Sequence, residues 1–321
     1  MAGPRVTTPI PDRTTLAAFG VIVLFGGLNG LFVKLGDREL PPFWGATVRF
    51  FVSAAILFAV VGLRRIALPR GRALVGSILY GILNFAAFFG LLYWALVTAP
   101  AGLAMVILAL APLMTLLLAG AIGLERLRAR AIVGSIIAAA GIGLVFVDRV
   151  GRALPLWSAL AILAAAASIA GSTVVLKRFP PVHPVANNAV AMTVGTACLA
   201  LLSILAGERW IAPSRPETVT ALGYLVALGS VTMFVLYVFV IGRWTASATS
   251  YAVLLMPLVT VPVATITAGE SLTPRFAIGA AVVLAGVYAG AVHTPALPSP
   301  ARQAGKGPAH EAPALSAPGC P

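Results

Sequence analysis

Acidic residues are scarce: the 321-residue chain holds nine Asp and Glu against 22 Lys and Arg. Charged residues of both signs make up 10% of it, where a soluble domain carries roughly a quarter. A water-covered globular surface is thereby excluded. Two cysteines, Cys198 and Cys320, exclude a disulfide framework and leave the redox compartment open. The three histidines, His183, His293 and His310, are scattered without metal-ligand spacing, and no serine or cysteine has a base partner. Enzymatic and metal-centre readings lose their chemistry, and no cofactor is implied. There is no glycine-rich phosphate loop ending in lysine, so ATP-driven work by this chain alone is excluded. No alternating ten-residue pattern suggests a β-barrel. The first fifteen residues, with Pro4, Pro9 and Pro11, lack a small-residue cleavage site, so no cleaved signal peptide is expected.

What fills the chain instead is apolar sequence: 60% of residues are hydrophobic and the mean hydropathy is +1.01. The net charge of +13 would suggest a nucleic-acid partner in a soluble protein. Here the basic residues sit in short gaps between apolar runs, so they read as topology signals and contacts to membrane lipids, with no nucleic acid. A span needs about 20 apolar residues to cross the hydrocarbon. Ten segments come close, near 16–36, 42–62, 73–96, 100–122, 130–147, 155–176, 184–206, 218–242, 246–268 and 274–292. Residues 293–321, rich in Pro, Ala and Gly, read as a disordered tail.

The chain also repeats itself. Residues 98–143 align without a gap on 243–288, carrying Pro112 to Pro257, Glu125 to Glu270, Gly134 to Gly279 and Gly141 to Gly286. With an offset of 143, Asn29 falls on Ser172. The basic residues gather on one side, including Arg64, Arg65, Arg70, Arg72, Arg126, Arg128, Lys177 and Arg178, which places both termini in the cytoplasm. Five segments precede the gap at 148–154 and five follow it, so the second unit enters the bilayer from the opposite face. The expected fold is an all-α polytopic membrane protein of ten transmembrane helices in two inverted five-helix repeats. Its parts are a cytoplasmic N-terminal segment 1–15, a first repeat 16–147, a second 155–292, and the cytoplasmic tail 293–321.

The run Leu24 to Gly30, then Pro41 to Arg49, then Ala111–Pro112 followed by Gly123–Glu125, echoed by Pro257, Gly269 and Glu270, resembles the EamA group of the drug/metabolite transporter superfamily. Gly26 stands where that group often has Trp, and Leu124 where a Gly often precedes the Glu. The resemblance covers about residues 16–292 and implies two inverted five-helix repeats around a central substrate cavity, with the fifth and tenth helices peripheral. Within the group the chain is most similar to bacterial aromatic amino-acid exporters. An inner-membrane, multi-pass carrier with a small-molecule substrate, monomeric or weakly dimeric, is what this implies.

Candidate site residues follow from polar and aromatic groups inside apolar segments. Arg49 is the most conspicuous; it would contact a substrate carboxylate, or else brace helix ends. Ser77, Tyr80, Asn84 and Phe88 share one face at three- and four-residue spacing, which should turn away from lipid. Asn29, Trp44, Ser168, Ser172, Phe234 and Tyr237 complete a predicted cavity lining for a small amphipathic solute, though Trp44 would equally suit an interfacial belt. Pro112 and Pro257 are candidate helix breaks or hinges. Glu125 and Glu270 are expected to cap the helices that follow them. No acid falls mid-segment, so facilitated diffusion or exchange is expected in place of proton coupling. A channel or a non-transporting membrane subunit are the competing classes.

Overall fold

The structure, a computed structural model, describes residues 11–99, 101–125, 127–146, 155–267 and 273–292. The tail 293–321, most of the N-terminal segment, Asp148 and Glu270 lie outside the described residues. Every regular element among the described residues is helical: α1 Arg13–Gly36, α2 Pro42–Arg64, α3 Arg72–Leu96, α4 Ala101–Leu108, α5 Ala111–Ala121, α6 Ala129–Phe146, α7 Leu156–Arg178, α8 Pro184–Leu205, α9 Pro216–Arg243, α10 Ala246–Ser250, α11 Ala252–Thr267 and α12 Pro274–Val287. Nine helical stretches among them are long and apolar enough to cross a bilayer, and Pro274–Gly290 is shorter.

Two features depart from plain α-helical spans. π-helical turns occupy Ile82–Ala87 in α3 and Ala227–Thr232 in α9, and a third, Tyr288–Val292, continues α12. The starts and ends of the first two differ by 145 residues, the offset of the sequence repeat. A wide turn inserts a residue, so every position beyond it rotates relative to α-helical expectation. That rotation corrects the predicted α3 face: from Phe85 in the turn the stripe passes on to Phe89 and Tyr93, and Phe88 moves off it. The second departure is the break between α4 and α5. Pro112 falls in the first turn of α5, where its missing N–H costs nothing. Its repeat partner Pro257 lies inside α11, and the chain there breaks at Tyr251 instead.

Glycines set the tightest contacts. A Cβ on Gly134 would meet Gly290 Cα at 2.6 Å, and one on Gly141 would meet Val283 N at 2.6 Å and Gly279 O at 2.9 Å. Early α6 thus faces late α12 and late α6 faces early α12, so these repeat-related helices run antiparallel, backbone against backbone. The Gly286 and Gly290 spacing therefore serves packing within the chain. In the first helix, Gly27 lies against Val259 and the carbonyl of Met256, tying α1 to α11.

Carboxylates staple the connections. Gly123, at φ +73, closes the C-terminus of α5 and lets Leu124 N–H donate to Ala119 O at 2.8 Å. Glu125 then reaches the start of α10, accepting from Ser247 N–H at 3.2 Å and from Ala246 N–H. It caps a helix of the other half, and not the following α6 as expected. On the opposite side Glu208 accepts from Phe43 N–H (3.1 Å) and Trp44 N–H (2.7 Å) at the start of α2, while Glu39 accepts from Ser214 N–H (2.8 Å). The Ser214 hydroxyl, donating at 2.6 Å, and that of Thr218, helped by the Ser214 and Arg215 N–H groups, hold the Glu39 carboxyl down at about 2. The two connections, 37–41 and 206–215, clasp each other across the repeat.

Candidate functional site

A narrow cleft enters from the side of the 37–41 connection, between the ends of α1, α2, α3 and α9, open to the outside and with a volume of about 20 Å³ in this conformation. Asp37 stands at its mouth. Leu222 and Leu225 of α9, Ala46 of α2 and Tyr93 of α3 form its walls, and Arg49 lies at its inner end. Asp37 caps the C-terminus of α1; burial raises its carboxyl to about 6.

Arg49 is 2% exposed. Its Nε–H donates to Ser230 Oγ at 2.7 Å, and Nη2 donates to Gly229 O at 2.8 Å, both in the wide turn of α9. Asn29 of α1 donates to the same Gly229 carbonyl at 3.2 Å. The guanidinium lies over the rings of Phe50 (5.0 Å) and Phe89 (5.8 Å). No carboxylate pairs with it among the described residues. A buried cation held only by neutral oxygens and aromatic faces has attraction left for an anion.

Beneath Arg49 the centre is packed. Phe50, Phe85 and Phe234 meet edge to face, with centroids 5.0 Å apart for Phe50 and Phe85 and 4.7 Å for Phe85 and Phe234. Among the described residues this aromatic floor separates the cleft from what lies beyond it. On the far side of the floor lies a closed polar cluster. Ser77 Oγ–H donates to Asn187 Oδ1 at 2.8 Å, Ser172 Oγ–H donates to Asn84 Oδ1 at 3.2 Å, and the Thr173 and Tyr237 hydroxyls lie 2.8 Å apart. Asn188 Nδ2–H donates to Phe234 O at 3.0 Å.

The predicted residues thus divide. Arg49 and Asn29 meet at the α9 wide turn; Ser77, Tyr80, Asn84, Ser172 and Tyr237 gather beyond the floor, and Phe234 is part of the floor itself. Three stand apart. Trp44 stacks on Trp210 at 4.4 Å and donates its indole N–H to Ile211 O at 2.7 Å, at the rim outside the cleft. Ser168 donates to the carbonyl of Ala164 in its own helix. Phe88 packs among Leu92, Ala95 and Ile162. Missed from sequence were Asp37, Tyr93, Phe89, Asn187 and Asn188. Tyr93 and Phe89 were one residue off the α-helical stripe, which a wide turn at Ile82–Ala87 would have restored.

The repeat also appears as matched contacts. Asn29 touches the α9 wide turn at Gly229, and its partner Ser172 touches the α3 wide turn at Asn84, with Asn84 carried to Gly229 by the 145 offset. Comparison with known proteins agrees with such a duplication: the model of the EamA-like transporter family matches residues 14–147 and again 156–289.

The chain belongs to the EamA-like transporter family. It is a membrane transporter, not an enzyme. The inner membrane transporter YedA of Escherichia coli K12 is 31% identical over 264 residues, covering 79% of this chain and 85% of that protein. A probable terminal-alkyne amino-acid exporter of Streptantibioticus cattleyicolor is 31% identical over 242 residues, 74% of this chain and 78% of its own length. A probable amino-acid metabolite efflux pump of Salmonella typhimurium is 26% identical over 281 residues, covering 84% and 91%. A crystal structure covers 87% of the chain and 96% of its own with a TM-score of 0.75 at 19% identity, a likeness of fold.

Proposed function

We propose that this EamA-family transporter exports amino acids with aromatic or other bulky apolar side chains, by alternating access, as a facilitated-diffusion carrier or exchanger in the inner membrane. Two inverted five-helix units, 16–147 and 155–292, would rock about the aromatic floor, with both termini cytoplasmic. The antiparallel contact of the repeat-related α6 and α12 supports the inversion.

Arg49 carries the reading. It is buried, lacks an acidic partner among the described residues and ends a cleft with apolar and aromatic walls, a lining whose chemistry suits a carboxylate beside an apolar side chain once the cleft widens. Asp37 at the mouth offers the complementary charge for an ammonium group. The names of the amino-acid exporter and efflux pump among the relatives point to the same solute class. The test is competition transport in proteoliposomes with amino acids, sugars and nucleosides. Saturable efflux with trans-stimulation by bulky amino acids is expected; solute-independent ionic conductance would favour a channel, and sugar or nucleoside preference would remove the amino-acid reading.

The raised Asp37 carboxyl gives this reading a pH signature. Below about 6 the Asp37 carboxyl is neutral; above it the carboxylate faces the solute. Apparent affinity for a zwitterionic amino acid from the cleft side should rise about threefold to tenfold as pH increases from 5 to 7, the strength of a partly screened charge pair. Asp37→Asn should hold the low-pH affinity throughout. A wild-type profile that stays flat would take Asp37 out of recognition.

A further inference from the structure

The open cleft has a counterpart in the other repeat, and that counterpart is the closed polar cluster. Both α2 and α8 begin with a proline in the first turn, Pro42 and Pro184, which fixes an offset of 142 for this pair of helices. It carries three cleft residues, Gly45, Ala46 and Arg49, onto Asn187, Asn188 and Ala191. The 145 offset that relates the wide turns of α3 and α9 carries the cleft residues Leu222 and Leu225 back onto Ser77 and Tyr80. The lining of one side is thus repeated on the other with polar residues in place of Gly45, Ala46, Leu222 and Leu225, and with Ala191 in place of the charged Arg49.

The two versions differ in whether they are shut. Around Gly36, at the cleft mouth, an added Cβ would find nothing within 4 Å. Its counterpart by the 143 offset is Phe179, whose Cβ lies 2.6 Å from where a Cβ on Gly76 would stand. Deeper in, a Cβ on Gly81 would lie 2.6 Å from the carbonyl oxygen of Ala191, the residue at the Arg49 position. So α3 and α8 close over the counterpart with glycine against ring and backbone.

Closure strands polar atoms. Tyr80, Asn84, Asn187 and Asn188 are 0%, 1%, 2% and 0% exposed. Tyr80 OH, Asn84 Nδ2, Asn187 Nδ2 and Asn188 Oδ1 have no hydrogen-bond partner among the described residues. Each such atom is destabilising when kept from both water and a partner. Four in one cluster, on helices from both halves, mark a surface made to meet water or a polar solute in another conformation. A cluster serving only to hold the helices together would have its donors and acceptors matched, as Glu39, Glu125 and Glu208 are.

We infer that Ser77, Tyr80, Asn187 and Asn188 line a second solute vestibule, uncharged and shut in this structure, which opens on the side of the N-terminus as the Arg49 cleft closes. The inference rests on the carrier reading of the same helices. Its ligand chemistry differs from that of the cleft: amides and hydroxyls bind the ammonium and carboxylate of an amino acid by neutral hydrogen bonds. A solute carboxylate is therefore held more weakly there than at Arg49.

The experiment is sided labelling with a membrane-impermeant maleimide. Cys198 and Cys320 are replaced by serine, and single cysteines are placed by Ser77→Cys, by Asn187→Cys as a second vestibule probe, and by Leu222→Cys in the open cleft. The full chain is reconstituted, and its sidedness is read from protease access to an N-terminal tag. Ser77→Cys should react only from the N-terminal side, and Leu222→Cys only from the other. Gly81→Ala, which forces α3 from α8 only when the vestibule is shut, should speed the first reaction and slow the second by about fivefold or more, the shift that 1 kcal/mol of strain produces. Vestibule cysteines that stay unreactive from the N-terminal side in protein that still transports, or that react from the cleft side, would overturn the inference. Loss of amino-acid transport with sided labelling intact would instead sink the solute assignment and leave the vestibule standing.

Discussion

Replacing Arg49 with methionine should lower amino-acid transport by about 50-fold, the loss of one buried charge-assisted contact of roughly 2–3 kcal/mol. Methionine matches the length and apolar stem of arginine, so the walls of Phe50 and Phe89 keep a neighbour. Ser230 Oγ and Gly229 O lose a donor, but an unpaired buried cation is removed as well. The fold should therefore be as stable as wild type or more so. The informative comparison is between an amino acid and its carboxamide. Wild type should prefer the acid, and the preference should collapse in the variant because only the carboxylate contact has gone. Arg49→Lys should not restore it, since one ammonium group cannot reproduce the planar reach to Ser230 and Gly229 at once. Acid and amide falling equally would make Arg49 a brace between α2 and α9 with no solute contact.

Gly286→Val should be the most damaging single change to the fold. A Cβ there would stand 2.7 Å from Gly134 O and 2.8 Å from Ala138 Cα, in the middle of the α6 and α12 contact. Both obstacles are helix backbone, which cannot swing aside as a side chain would, so the helices must part. The expected loss is about 3 kcal/mol or more, at the upper end of overpacking costs. Thermal unfolding in detergent should show a clear drop, with transport lost in parallel. Gly143→Val is the matched control: it lies on α6 with nothing within 4 Å of its would-be Cβ, and should change stability by about 0.5 kcal/mol or less. Equal effects at the two sites would mean that backbone approach does not set this interface.

The sequence was most legible where the physics is local or repeats. Apolar length placed each helix to within a few residues, because hydrocarbon leaves the backbone no other partner. The repeat survived as wide turns matched at an offset of 145 and as the contacts of Asn29 and Ser172, matched at 143. Arg49 stood out because a lone charge in an apolar run is costly wherever it lies. The α3 stripe was read correctly only up to its wide turn. Beyond it Phe88 stood in for Phe89, since one inserted residue shifts a face and leaves no mark in composition. Glu125 was recognised as a cap, but its helix belongs to the other half, and sequence distance carries no information on such a partner.

Length, apolar composition and duplication thus determined by themselves that this chain is a membrane-spanning helical transporter built from two related units, because each follows from the solvent the chain must satisfy. Which polar residues share a space was decided only by the tertiary structure. Arg49 with Asp37 and Tyr93, and Ser77 with Asn187, come together through contacts between helices far apart in the chain. The same duplicated lining is open on one side and shut on the other because Gly36 is left free while Gly76 and Gly81 are pressed against Phe179 and Ala191.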